Sequence, residues 1–270
     1  MDGSTIMLLA SLGMIVAMVC AWVVVRASGN GGWIDVFWSF GIGAMGVTFA
    51  LTPIAGTAWP TLRQIIVATL VGLWGLRLGV YLAGRVAHGS EDARYVGLRE
   101  GWGRGFPAKL LGFAIIQALA AILLALTIRL AARNPVEGFR FLDLIGAVIL
   151  IAAILGEGIA DRQLAAFKRD PANRGKVCDI GLWSWSRHPN YFFEILGWVA
   201  YVPFAIDLGG DPLGYLAILG PVFIYLLLRY VSGVPPLERH MVKSRGDAYR
   251  DYQARTSAFL PRPPGRPTAR

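Results

Sequence analysis

The chain contains seven apolar runs, each close to the length of a helix that crosses a bilayer. A spanning helix needs about 20 apolar residues because the hydrocarbon core is about 30 Å thick. With 55% hydrophobic and 16% charged residues, the chain is too apolar for an ordinary soluble domain. We therefore predict an all-α fold, a polytopic membrane protein with a seven-transmembrane-helix bundle. The runs cover residues 4–25, 33–53, 64–83, 109–128, 141–160, 191–207 and 213–230.

Basic residues are distributed unevenly among the segments between these runs. If the C-terminus is cytoplasmic, 21 of the 26 Lys and Arg residues fall on the cytoplasmic side. The positive-inside rule then predicts an outside N-terminus and a cytoplasmic C-terminus. The membrane accounts for the net charge of +9, and we expect lipid and no nucleic acid as a partner. The remaining cations are Arg63, Arg77, Arg129, Arg133 and Arg140.

A polar and aromatic hinge segment, residues 181–191, lies between two apolar regions. Arg187 carries a planar fork of donors suited to phosphate, and His188 titrates near neutral pH. Asn190 and Tyr191 add donors at the start of the next helix. Few structural roles need all these residue types together, so we interpret the segment as part of a cofactor site.

Asp35 is an acidic residue in the second apolar run, with Trp33 and Trp38 close to it in sequence. A carboxylate beside hydrocarbon is costly, so an acid in such a run is by default a candidate functional residue. The two tryptophans could surround it with aromatic surface and bind substrate. The alternative is an N-terminal carboxylate stabilised by the helix dipole, with tryptophans that anchor the interface.

The segment 88–100 is rich in polar residues and glycine. Tyr95 could donate a proton or a hydrogen bond from it. The sequence does not choose between Tyr95, Glu91 and Asp92 as the donor. The segment could also be a solvated helix edge with surface ion pairs.

Two further segments on the predicted cytoplasmic side carry candidate cofactor contacts. Asp161 lies one turn after Glu157 on the same helix face, and Lys168 follows. Acids of this kind can bind ribose hydroxyls, and the cations can bind phosphates; ordinary charges that end a span are the alternative. Residues 237–252 resemble an amphipathic helix that covers the site or binds anionic lipid.

Two apparent motifs are weaker. The stretch Gly41-Ile-Gly-Ala-Met-Gly46 fits the dinucleotide fingerprint, but it lies inside an apolar run, so we interpret it as close helix packing. The three histidines, His88, His188 and His240, lack the short spacing of metal ligands. We expect no metal site.

At Trp185-Ser-Arg-His-Pro-Asn-Tyr-Phe-Phe-Glu194 the chain resembles the membrane-bound steroid 5α-reductase family, particularly its bacterial branch. The similarity extends over most of the chain. The further matching segments are Asp35 with Trp38, Glu91-Asp-Ala-Arg-Tyr95, Asp161-Arg-Gln163, and Asp251-Tyr252 through Phe259-Leu-Pro261.

This resemblance implies a seven-helix bundle that uses NADPH to reduce the 4,5 double bond of a 3-oxo-Δ4 steroid or a similar enone lipid. Asp35 stands where the family has a catalytic Glu, Ile34 stands where it has a Gln, and Tyr95 matches its Tyr. A protonated Asp35 and Tyr95 would polarise the carbonyl. The cofactor contacts that the resemblance implies are Asp161, Lys168, Arg187, His188, Asn190, Tyr191, Glu194, Arg239, His240, Tyr249 and Tyr252.

The strongest alternative is an S-adenosylmethionine-dependent methyltransferase of the isoprenylcysteine carboxyl or phospholipid type. Such enzymes share an Arg-His-Pro-x-Tyr hinge and a Glu-Arg pair near the C-terminus, here Glu238 and Arg239. A third possibility is a lipid-binding scaffold without activity. For any of these we predict one helical domain over 1–260, with substrate on its N-terminal half and cofactor on its C-terminal half, and a flexible tail over 261–270.

Overall fold

The computed structural model describes residues 2–57, 59–89, 91–263 and 265, and this part of the chain forms helices without a strand. The prediction of an all-α fold is confirmed. The α-helices in chain order are α1 (Gly3–Ser28), α2 (Trp33–Leu51), α3 (Leu62–His88), α4 (Ala93–Trp102), α5 (Phe106–Ala132), α6 (Phe141–Arg169), α7 (Leu182–Trp185), α8 (Pro189–Val199), α9 (Tyr201–Ala205), α10 (Leu219–Leu226), α11 (Val234–Arg245) and α12 (Asp247–Arg255).

Side-chain caps and glycine set the ends of the long N-terminal helices. The Asp2 carboxylate accepts a hydrogen bond from the amide of Thr5 at the start of α1, and the helix ends at Gly29, which has a φ of 75°. Helix α3 begins with a capping box, in which Thr61 and Gln64 each accept a hydrogen bond from the other's amide. These caps fix where the apolar runs begin and end as helices.

Six helical stretches of the described chain are long and apolar enough to cross a membrane, as expected of an integral membrane protein. The predicted run 191–207 differs, because α8 ends at Val199 and the short α9 follows. Pro203 has no amide hydrogen to donate to the carbonyl of Val199, so a regular helix is interrupted there. A seventh membrane crossing by residues 191–207 stays a prediction. The orientation of the two termini in the membrane depends on that crossing and also stays a prediction. The six stretches are Gly3–Ser28, Trp33–Leu51, Leu62–His88, Ala93–Ala132, Phe141–Arg169 and Pro212–Arg245.

The chain divides into two compact units, and the first unit consists of Met1–Ala147 and Ala200–Gly220. Within it, α2 packs along α3 where two glycines meet. A β-carbon on Gly43 would lie 3.0 Å from the Cα atom of Gly75. The stretch that resembles a dinucleotide motif therefore serves close helix packing, and that interpretation is confirmed.

A buried ion-pair network lies in the same unit. The Asp143 carboxylate has no exposed surface, and Arg63 donates to both of its oxygens, at 3.1 and 3.0 Å. Arg140 donates to the same carboxylate at 2.7 Å. Arg140 also donates to the carbonyls of Phe204 and Ile206, at 2.7 and 2.6 Å, where α9 ends. Cations at the carboxyl end of a helix are favourable because the carbonyls there lack helical partners.

The second unit consists of Val148–Val199 and Pro221–Arg270. In it the hinge segment runs beside the C-terminal segment. The amide of Arg187 donates to the carbonyl of Ser257 at 2.8 Å, and the amide of Arg262 donates to the carbonyl of Trp185 at 3.0 Å.

Part of the predicted flexible tail is therefore held by backbone hydrogen bonds. Besides Arg262, Gly265 donates its amide to the carbonyl of Arg255 at 2.9 Å. Pro264 and residues 266–270 lie outside the described residues. The prediction of a single domain over 1–260 stays a prediction.

Candidate functional site

Asp35 lies in the first turn of α2. Its side chain is 18% exposed and accepts hydrogen bonds at both oxygens. The Tyr95 hydroxyl donates to Oδ1 at 2.8 Å, and Arg94 Nη2 donates to Oδ2 at 2.6 Å. The first unit thus brings together the two residues that the sequence predicts to be catalytic.

Helix α4 positions Tyr95. Asp92 caps this helix by accepting a hydrogen bond from the amide of Arg94 at 2.9 Å, and Tyr95 then falls in the first turn, where it is 2% exposed. Gly31 lies directly against the tyrosine ring, since a β-carbon at that position would overlap the ring atoms. A larger residue at position 31 would therefore displace Tyr95.

Asp92 is engaged in ion pairs and is not free to donate a proton. Arg94 Nε and Arg85 Nη2 each donate to it at 3.0 Å. Burial alone would raise the pKa of Asp92, but the charge and hydrogen bonds of Arg94 outweigh burial and lower the pKa to about 2. Asp92 is ionised at neutral pH and holds Arg94 in place.

Glu91 has a different set of partners. It accepts hydrogen bonds from the amide of Gly31 at 2.7 Å and from Arg99 Nη2 at 3.0 Å. Of the three donors that the sequence left open, Tyr95 is the one that reaches Asp35.

The two tryptophans near Asp35 are half-buried in α2. The indole of Trp38 donates to the backbone carbonyl of Gln117 on α5 at 3.2 Å. Trp38 is therefore fixed against α5. The substrate-binding role of Trp33 and Trp38 stays a prediction.

The contact with Arg94 bears on the expected role of Asp35. The sequence predicts a carboxyl that its apolar, Trp-lined surroundings keep protonated and able to donate a hydrogen bond, and this role stays a prediction. In the structure a guanidinium nitrogen lies 2.6 Å from Oδ2, and the Tyr95 hydroxyl donates to Oδ1. Arg94 and Tyr95 are thus the donors of this network, and Asp35 is the acceptor.

In the second unit, the Arg187 guanidinium makes hydrogen bonds within the protein. Its Nε donates to Glu238 Oε1 at 2.7 Å, and its Nη1 donates to the carbonyls of Gln253 and Thr256, at 3.1 and 2.5 Å. The side chain is 13% exposed. The guanidinium thus joins the hinge segment to α11 and the C-terminal segment. Contact of Arg187 with a cofactor phosphate stays a prediction.

His188 is buried beside Arg187. Its Nε2 donates to Glu238 Oε1 at 2.9 Å, and its ring stacks on Tyr191 with centroids 5.3 Å apart. Burial lowers the pKa of His188 below its ordinary value, and the hydrogen bond to Glu238 opposes this shift. Nδ1 has no hydrogen-bond partner among the described residues.

Glu238 is the centre of this cluster. Gln253 Nε2 donates to its second oxygen at 2.7 Å, so each oxygen accepts at least one hydrogen bond from a side chain. Tyr249, which is 3% exposed, lies close enough to Glu238 to be affected by its charge. Burial and the negative charge of Glu238 raise the pKa of Tyr249. We name the set Arg187, His188, Glu238, Tyr249 and Gln253 the Glu238 cluster.

The other predicted cofactor contacts are scattered over the second unit. The Tyr252 hydroxyl donates to the carbonyl of Trp183 and lies 3.3 Å from the carbonyl of Ser186, so it joins α12 to the hinge segment. Burial raises the pKa of Tyr252. Glu194 accepts a hydrogen bond from the Trp198 indole at 2.9 Å.

Asn190 is half-buried in α8. On α6, Asp161 is buried and Lys168 is exposed. On α11, Arg239 and His240 are both exposed.

A groove with a cavity of about 510 Å³ opens over α11. We call it the basic groove, since Arg229, Arg239 and Lys243 line it together with Glu238, whose charge is balanced by Arg187. Cavities of about 300–1,000 Å³ are typical of small-molecule sites. The three cations at this groove can bind phosphate groups.

Sequence reasoning missed several of these residues. The sequence places Arg229 and Lys243 among the predicted cytoplasmic cations, and Lys243 also in the segment 237–252, but it assigns no individual site role to either residue or to Arg94. Glu238 was noted as half of a Glu-Arg pair, but nothing in the sequence connects it to Arg187, which lies 51 positions away.

Comparisons with known proteins agree with a membrane protein of this kind. The family described as "Protein of unknown function (DUF1295)" matches residues 21–256, and it is related to steroid 5α-reductase-like membrane proteins. An uncharacterized protein of Schizosaccharomyces pombe is 28% identical over 225 residues, which are 74% of this chain and 64% of the yeast protein. The chain thus spans less than two thirds of that relative's length. No solved structure matches the chain. Because the family match covers most of the sequence, the protein belongs to the DUF1295 family.

Proposed function

We propose that the protein is an NADPH-dependent reductase of a hydrophobic enone, such as the 4,5 double bond of a 3-oxo-Δ4 steroid. The observation that carries this proposal is the hydrogen bond from Tyr95 to Asp35, with Arg94 on the other carboxylate oxygen. A buried phenol held by an ion pair is suited to act at a ketone oxygen.

When a hydride adds to the β-carbon of an enone, negative charge develops on the carbonyl oxygen. A proton from water then adds to the α-carbon and completes the reduction of the double bond. The Tyr95 hydroxyl has a single proton, so a bound ketone would turn that proton from Asp35 towards its own oxygen. Arg94 would keep Asp35 neutralised while this happens. A preorganised donor and a nearby cation both stabilise such charge, and more strongly where water is excluded.

The basic groove is the proposed cofactor site. When bound there, NADPH would supply the hydride. Arg229, Arg239 and Lys243 would bind its phosphates, and three cations favour the additional 2′-phosphate of NADPH over NADH. The Glu238 cluster would support the groove by fixing α11.

The proposed substrate is apolar because the first unit consists of helices long and apolar enough to lie in a membrane. A steroid or another flat enone lipid could reach Asp35 from the lipid phase, beside Trp33 and Trp38. We propose that the cofactor site faces the cytoplasm, as the positive-inside rule predicts.

A methyltransferase that uses S-adenosylmethionine is the second candidate. It is favoured by the contact of Arg187 and His188 with Glu238, which joins the hinge to the Glu-Arg pair that such enzymes share. The Tyr95–Asp35 pair favours the reductase, because methyl transfer needs no donor at a ketone.

Binding and turnover of the detergent-purified protein distinguish the two. We expect NADPH to raise the melting temperature, S-adenosylmethionine to leave it unchanged, and a 3-oxo-Δ4 steroid to cause loss of reduced-nicotinamide absorbance. Stabilisation by S-adenosylmethionine alone would contradict the reductase. Stabilisation by neither would contradict both enzyme proposals.

A further inference from the structure

A small cavity of about 160 Å³ lies in the first unit, where α1 ends and α5 begins. Two arginines line it, Arg26 and Arg99, with apolar atoms of Val25, Phe106 and Leu110. The Trp22 indole fixes this junction by donating to the carbonyl of Pro107 at 2.7 Å. Asp35 and Tyr95 are not among the residues that line this cavity, and the cavity shares no lining residue with the basic groove.

Both guanidiniums rest on aromatic rings. Arg26 lies over Trp22 at 5.0 Å, and Arg99 lies over Phe106 at 4.3 Å. Such contacts orient a cation without consuming its hydrogen-bond donors. The cavity therefore presents planar donor forks, which match the oxygens of a phosphate.

These donors are largely available. Arg99 donates from Nη2 to the carbonyl of Gly29 and to Glu91, at 2.8 and 3.0 Å, and within the described chain its other nitrogens make no hydrogen bond. Arg26 is exposed and pairs with no carboxylate of the described residues. Glu91 offsets one of the two positive charges, so the site keeps a net attraction for an anion.

The cavity also lies at the polar end of two candidate spans. On α1 the exposed side chains from Leu8 to Val23 are apolar, among them Leu12 and Val16, and the exposed Arg26 follows in the last turn. Such a change from apolar to basic surface, beside a tryptophan, marks the interface between hydrocarbon and headgroups. A phosphate that reaches this cavity in the membrane would belong to a lipid.

We infer that Arg26 and Arg99 form a binding site for the phosphate of an anionic membrane lipid. The acyl chains of the lipid would lie along the apolar surface of α1, and the phosphate would lie between the two guanidiniums. Each cation near an anionic membrane surface adds to lipid attraction, and the arginine forks add geometric selectivity.

The test measures the melting temperature of the full chain in detergent micelles to which one probe is added. The probes are phosphatidylglycerol, phosphatidylcholine, and glycerol 3-phosphate, which has a phosphate but no acyl chains. We expect phosphatidylglycerol alone to raise the melting temperature, by a few degrees, because a ligand stabilises the state that binds it. An equal rise with glycerol 3-phosphate would contradict a lipid site, as would an equal rise with phosphatidylcholine or no rise at all.

Variants locate the effect. Arg26→Gln and Arg99→Gln should each abolish the rise, whereas Arg104→Gln, at an exposed cation outside the cavity, should keep it. Arg26→Gln removes no hydrogen bond within the described chain, so it tests the site even if Arg99→Gln reduces folding. A rise that survives Arg26→Gln would overturn the inference.

Discussion

Two networks of the first unit each join an aspartate to arginine, but they differ in burial and in the other hydrogen-bond partners of the aspartate. Asp143 has no exposed surface and accepts hydrogen bonds from two arginines, whose other donors bind backbone carbonyls. Asp35 is 18% exposed and accepts from one arginine and one tyrosine. The Asp143 network is saturated by the protein, whereas the Asp35 network contains a hydroxyl proton that a ligand could accept.

The comparison teaches that burial and saturation distinguish a structural acid from a candidate catalytic one. Both residues are acids in apolar runs, and both lie in the first turn of a candidate spanning helix. The Glu238 cluster of the second unit resembles the Asp143 network, because arginine, histidine and glutamine all donate to one carboxylate.

The largest expected effect concerns the stability of the Asp143 network. Asp143→Asn leaves two arginines without their carboxylate, and removal of one partner from a buried pair costs about 3–5 kcal/mol. We expect a large fall in melting temperature, or loss of folded protein. Asp35→Asn serves as the comparison, with a smaller loss of stability because its site is partly open to solvent. Equal losses in the two variants would contradict the distinction.

The second prediction separates the basic groove from the Glu238 cluster. Arg239→Gln should weaken NADPH binding by about tenfold, which is about 1.4 kcal/mol, with little change in stability because Arg239 is exposed. Arg187→Gln should lower stability more than Arg239→Gln does, since it breaks three side-chain hydrogen bonds. Titration of NADPH and thermal unfolding of both variants measure this. Weaker NADPH binding in Arg187→Gln than in Arg239→Gln, without the larger loss of stability, would favour direct contact of Arg187 with the cofactor.

The third prediction uses the buried histidine of the Glu238 cluster. The pKa of His188 lies below its ordinary value, so the unfolded state binds a proton at a pH where the folded state does not. Stability is then complete above about pH 6.5 and falls with decreasing pH, by up to about 1.4 kcal/mol per pH unit.

Thermal unfolding against pH measures this effect. His188→Gln should remove the slope in this range, whereas His240→Gln, at an exposed position, should keep it. A slope unchanged by His188→Gln would show that another group titrates.

The smallest expected effect concerns Asp92, which we regard as a positioning residue for Arg94. Asn also caps helices well, so Asp92→Asn removes the charge and keeps the cap of α4. We expect turnover to fall severalfold with an unchanged KM for NADPH. Because the pKa of Asp92 is lowered to about 2, its contribution to wild-type stability should be lost as the pH falls from about 4 to about 2. Wild-type turnover in Asp92→Asn would contradict the positioning role and leave Asp92 with only the role of capping α4.

The sequence predicted the helical fold and indicated Asp35 as a candidate functional residue. Both predictions use local signals, namely the length of the apolar runs and the presence of an acidic residue inside one of them. It did not predict the interruption between α8 and α9, although Pro203 in the run 191–207 was the local signal for it. It also could not choose Tyr95 over Asp92 and Glu91, since that choice depends on which side chain reaches Asp35 across 60 positions.

The hinge segment shows a limit of arguments from residue type. Arg187 and His188 have residue types that bind cofactors, and direct contact with a cofactor stays a prediction. Their partner Glu238 lies about 50 positions away, and no spacing rule connects them. Residue type therefore indicated that a polar cluster lies here, but it did not indicate which side chains join it.

The most direct test of the central claim compares two tyrosine variants of the purified protein. Tyr95→Phe keeps the ring against Gly31 and removes only the hydroxyl, and Tyr215→Phe does the same at an exposed tyrosine of the first unit. The quantity measured is steroid-dependent oxidation of NADPH. We predict that Tyr95→Phe lowers turnover by about 100-fold or more with NADPH binding intact, and that Tyr215→Phe matches wild type. Wild-type turnover in Tyr95→Phe would contradict the assignment of Tyr95 as the group that acts at the carbonyl.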